Sequence, residues 1–155
     1  MTTPQDSLLA ALAPILDNMS ADEAPLLLAS LERMAAAKYR AWAESAEDAV
    51  ERQGLLDCAL REEAIAEFIE SLNPDCDRQL RELAGKYPQA QELYDGVMEG
   101  QERSEQLRRQ ADGELGGAEF LLQFAAASDG AVAAQFEALA CCEEANAKFL
   151  RALIR

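Results

Sequence analysis

Apolar residues recur at every third or fourth position through most of the chain, and no stretch alternates with the period of two that marks a strand. The spacing predicts helices throughout. Leu8, Leu9, Leu12, Ile15 and Leu16 form a stripe over residues 5–18, so a short helix bent or restarted at Pro14 is expected. Ser20 to Glu23 form a capping-box pattern, and Pro25 fits only a first helical turn, so a second helix starts near 21–25 and runs to about Ser45. A short turn ending at Asp48 leads into a third helix over about 48–72, which Asn73, Pro74 and Asp75 terminate. Such a short turn makes these two helices antiparallel neighbours. Residues 75–103 carry helical pieces broken near Gly85–Pro88 and at Gly100. A long helix over about 102–127 contains Gly113, Gly116 and Gly117, and Asp129 and Gly130 turn the chain into a last helix reaching about 153.

The chain repeats itself. Residues 43–72 slide onto 124–153 without a gap, a shift of 81 positions, with Ala46, Asp48, Ala59, Glu62, Glu63, Ala64, Ala66, Phe68 and Leu72 identical in both copies. The turn aspartate and the "EEA-A-F" core fall in one register. The expectation is an all-α single domain over 1–155: a four-helix bundle of two hairpins with approximate internal two-fold symmetry. Its parts are an N-terminal helix (1–19), a first hairpin (21–73), a helical crossover (74–103) and a second hairpin (104–155).

Composition narrows the function. Ala, Leu and Glu dominate, aromatics make up 6%, and 29 acidic against 14 basic residues give a net charge of −15. Such a surface repels phosphate backbones and anionic bilayers, so neither nucleic acid nor membrane is an expected partner. No apolar run is long enough to cross a bilayer, and the N-terminal segment lacks the basic region of a secretory signal. Cys58, Cys76, Cys141 and Cys142 form no CxxC pair, which argues for free, mostly buried thiols in a reducing cytosol. The cysteine pair at 141–142 is expected to be packing rather than redox chemistry. The chain has no His and no Gly-rich phosphate loop. The mixed-charge stretch 101–114 is expected to be a solvated face.

The "EEAIAEF" stretch at 62–68 and its copy "EEANAKF" at 143–149 place carboxylates where an apolar stripe should run. The positions one and two turns from Glu62 hold Leu55, Cys58, Ala59, Ile65, Ala66 and Ile69, so Glu62 points inward while Glu63 borders the polar face. Glu143 and Glu144 divide in the same way. Glu32 shares a face with Leu28, Ala35, Ala36 and Tyr39, and Glu114 with Leu107, Ala111, Ala118 and Leu121. Glu32 precedes Glu62 by 30 residues and Glu114 precedes Glu143 by 29, offsets that can bring each hairpin's two carboxylates to a similar height. Four inward carboxylates at one level cannot all be ionised and dry; they need a cation, protons or water.

These residues resemble a family. "LERMAAAKYRAW…LREEAIAEFIESL" is similar to the hairpin of rubrerythrin-like proteins in the ferritin-like superfamily, over roughly residues 25–73 and 104–153. The resemblance implies a ferritin-like bundle in which Glu32, Glu62, Glu114 and Glu143 ligate two iron or manganese ions. It further implies a His three residues after each second-helix Glu. Those positions hold Ile65 and Asn146, the Tyr matching Tyr39 is replaced by Leu121, and no rubredoxin-like domain is present.

Two readings follow. In one, Glu32, Glu62, Glu114 and Glu143 with the amide of Asn146 make an all-oxygen metal site, suited to hard cations or to less firmly held iron, with oxidoreductase or metal-handling activity. In the other, the centre is degenerate and metal-free, and the protein is a non-catalytic interaction or assembly module that could pair as a homodimer.

Overall fold

A computed structural model describes residues 7–154. Residues 1–6, the start of the expected N-terminal helix, and residue 155 of the second hairpin lie outside the described residues. The described chain is all-α, with seven helices and no strand among the described residues: α1 (Leu8–Leu16), α2 (Ala24–Ser45), α3 (Ala49–Ser71), α4 (Cys76–Lys86), α5 (Gln89–Met98), α6 (Arg103–Ala126) and α7 (Gly130–Leu153). None of these helices is long and apolar enough to cross a membrane.

The helix boundaries have local causes. Ser20 and Glu23 exchange hydrogen bonds: the Ser20 amide donates to the Glu23 carboxylate (3.1 Å), and the Glu23 amide donates to the Ser20 hydroxyl (3.3 Å). This is the reciprocal arrangement of a capping box, and Pro25 then sits in the first turn of α2. Asp48 caps α3 by accepting from the Glu51 amide at 2.8 Å. Asn73 donates its side-chain amide to the Ile69 carbonyl at 2.9 Å as α3 ends. Pro14 lies within the last turn of α1, which continues through it as one helix. Gly100 adopts φ +70° between α5 and α6, a conformation that a side chain would strain.

The described residues divide into two compact units, Leu12–Tyr94 in one and residues 7–11 with 95–154 in the other. The first contains the hairpin α2–α3. Arg33 pairs with Glu70 (2.7 Å) and Arg40 with Glu63 (2.7 Å), so partners advance by seven on α2 while retreating by seven on α3, as antiparallel neighbours must. Tyr39 and Trp42 are buried and meet edge to face, ring centroids 5.7 Å apart. Lys86 at the end of α4 reaches Glu23 at 2.6 Å, tying that helix to the entrance of α2.

The second unit contains the hairpin α6–α7, where Asp112 pairs with Arg151 (3.0 Å). Arg109 donates to the Val97 carbonyl (2.9 Å) and so fastens α6 to the end of α5. Gly116 is where Leu9 enters: a Cβ there would stand 2.3 Å from the leucine Cδ1. A glycine in this helix is a site of close approach as well as a loss of helix propensity.

Replacing Asp48 by Ala removes the side-chain cap of α3. It is expected to lower unfolding free energy by about 1 kcal/mol, measured by urea denaturation, whereas Asp129→Ala, whose side chain makes no cap bond, costs less.

Candidate carboxylate site

The buried face of α3 consists of Leu55, Cys58, Ala59, Glu62, Ile65, Ala66 and Ile69. The buried face of α7 consists of Phe136, Leu139, Ala140, Glu143, Asn146, Ala147 and Leu150. Each member of the second set lies 81 positions after its counterpart in the first. The first helices correspond as well. Aligning Glu114 with Glu32 matches Gln110 to Leu28, Gly117 to Ala35, Ala118 to Ala36 and Leu121 to Tyr39, all of them buried. The repeat is therefore a repeat of buried positions, and the inward assignment of the carboxylates holds. Glu32, Glu62, Glu114 and Glu143 are at most 5% exposed, whereas Glu63 is half-buried against Arg40 and Glu144 is exposed.

In the first hairpin, α2 and α3 bring one carboxylate oxygen of Glu32 and one of Glu62 within 4.8 Å of each other. Two oxygens on one hard cation, each about 2.0–2.6 Å from it, stand no more than about 5 Å apart. The pair is thus spaced for a shared cation or, when closer, a shared proton. Leu28, Ala35 and Tyr39 on the face of Glu32 and Ile65 on the face of Glu62 are all buried. Ile65 occupies the position from which a third donor on α3 would project, one turn beyond Glu62.

In the second hairpin the same places are polar. Gln110 is buried, and its amide nitrogen donates to Glu114 Oε1 at 2.6 Å. Asn146 is fully buried, and its amide nitrogen makes a longer contact, 3.4 Å, with Glu114 Oε2. The structure thus joins Glu114 and Asn146 across the hairpin, but it turns the amide nitrogen of Asn146, not its oxygen, toward the carboxylate. Glu143 lies against the bare backbone of Gly117, where a Cβ would meet its Oε1 at 2.3 Å.

Sequence reasoning missed Gln110 and Gly117. Gln110 sits one turn before Glu114 on the same face, so its spacing pointed inward, but the mixed-charge stretch 101–114 had been taken as solvated. That expectation fails at Leu107, Gln110, Ala111 and Glu114, all buried. The cysteines also depart from expectation: none of the four is in a disulfide, but only Cys58 is buried, and Cys141 is exposed. The buried counterpart of Cys58 is Leu139, which leaves Cys141 on the outer face of α7.

Two glycine substitutions four residues apart test this packing in opposite directions. Gly117→Ala pushes against a buried carboxylate and is expected to cost about 1–3 kcal/mol in a denaturation series. Gly113→Ala meets only Leu8 at 3.8 Å, an ordinary contact, and is expected to gain about 0.5–1 kcal/mol.

No protein-family model, curated protein or solved structure matches this chain, so the reading of these carboxylates rests on their own geometry.

Proposed function

We propose that this chain is a ferritin-like, rubrerythrin-like helical-bundle protein whose first hairpin holds a hard divalent cation on Glu32 and Glu62, in a binding or metal-handling role. The observation that carries this reading is the convergence of those two buried carboxylates within 4.8 Å between the two helices of one hairpin. The donors are oxygens alone, which suits manganese, magnesium or calcium, and holds iron less firmly than imidazole would. A bound cation would supply the positive charge that a carboxylate pair needs in a low-dielectric interior.

A second reading has its own support. Ile65 fills a donor position with hydrocarbon, which favours a degenerate centre in which Glu32 and Glu62 share a proton and the protein serves as an interaction or assembly module, with a homodimer as one form.

Thermal unfolding with Mn²⁺ and with a chelator separates the two. Under the cation reading, Mn²⁺ at about a hundred times its dissociation constant raises the melting temperature by about 5–10 °C over chelated protein. Glu62→Gln abolishes that increment, and Glu63→Gln, at the half-buried neighbour, retains it. A melting temperature indifferent to Mn²⁺ and to chelator, with Glu62→Gln neutral or stabilising, rejects the cation and leaves the proton-sharing form.

A further inference from the structure

We infer that at Glu114 in the second hairpin amide N–H groups take the place of a cation, with Gln110 the positioning residue, and that any divalent cation held by this chain is bound without Glu114. The clause about the cation rests on the reading proposed above; the clause about Gln110 stands without it.

Each oxygen of Glu114 faces an amide nitrogen, from Gln110 on its own helix (2.6 Å) and from Asn146 on α7 (3.4 Å). A buried primary amide is costly unless its hydrogen bonds are made, and a buried carboxylate more so. Placed together, each meets the other's need. The first hairpin has neither amide: its equivalent positions are Leu28 and Ile65, both buried and without a donor. The two polar residues thus occur together in one hairpin and are absent together from the other, which is the pattern expected of partners serving one carboxylate. A cation on Glu114 would face the N–H groups of Gln110 and Asn146 unless both amides turned their oxygens inward, which breaks both contacts. The short Gln110 bond makes that reversal unfavourable.

A double-mutant cycle in chelator isolates the Gln110 claim, using methionine as a replacement of similar volume without an N–H. Gln110→Met is expected to raise the unfolding equilibrium constant about 10- to 100-fold, because it leaves a buried carboxylate short of its donor. In a Glu114→Met background the same change is expected to move it less than about threefold. Equal effects in the two backgrounds overturn the positioning role. Should Glu114→Met fail to fold, Asn146→Leu supplies a second arm: its effect and that of Gln110→Met are expected to be non-additive, and simple additivity overturns the claim.

The cation claim is read by Mn²⁺ binding, followed by electron paramagnetic resonance. One ion per chain is expected, kept in Glu114→Met and lost in Glu62→Gln. Loss of the ion in Glu114→Met overturns the exclusion of Glu114 from the cation site. Absence of Mn²⁺ from the wild-type chain overturns both the cation clause and the proposed function while leaving the cycle to decide the role of Gln110.

Discussion

A carboxylate inside a seam between two helices is the constraint around which both hairpins are built. Left uncompensated it is costly, so charge, proton or hydrogen-bond donors must come from the protein or be captured by it. The neighbouring residues are chosen accordingly. Ala35, Ala36 and Ala66 in one hairpin, and Gly117, Ala118 and Ala147 in the other, leave volume beside the glutamates that larger side chains would fill. Glu143 uses that space most fully, with its carboxylate against the Gly117 backbone. Three glycines in α6 would ordinarily weaken a helix, yet two of them admit a neighbouring atom that a methyl group would exclude.

The outer faces do a different job. A chain with 29 acidic and 14 basic residues repels itself, and three of its arginines cross from helix to helix within the hairpins. Arg33 and Arg40 join α2 to α3, and Arg151 joins α7 to α6. Exposed ion pairs contribute little each to stability. Their value lies in register: Arg40 takes up Glu63, the neighbour of the buried Glu62, and so keeps the second glutamate of the pair outside while the first goes in.

Much of this was legible from spacing alone. The helical period fixed which of two adjacent glutamates turns inward, because one residue rotates the helix face by about 100°. Asp48 and Asp129, repeated with the core, marked both hairpin turns, and both stand at the N-caps of their helices. What stayed hidden was polar and buried. Gln110 has the spacing of a core residue but the chemistry of a surface one, and only the position of Glu114 across the same turn reveals that the two satisfy each other. In the sequence Gly117 is only a weak point of a long helix, because a missing side chain carries no pattern of its own; its meaning lies in the atom that occupies the space. Cys141 erred the other way, since a residue type often buried was assigned to the core although its helix position faced outward.

The differences between the halves are as informative as the likeness. Where α2 has Leu28 and Tyr39 around its glutamate, α6 has Gln110 and Leu121, so each hairpin keeps one polar side chain at this level on its first helix but places it on opposite sides of the carboxylate. On the second helices, Ile65 faces Asn146 in the alignment, and the amide again falls in the hairpin that has Gln110. A polar residue stranded among hydrocarbon costs about 1–3 kcal/mol. Gln110 and Asn146 avoid that cost beside Glu114, where donor meets acceptor. A buried glutamate needs a cation, a proton or hydrogen-bond donors, and at Glu114 the protein's own amides are the donors in place.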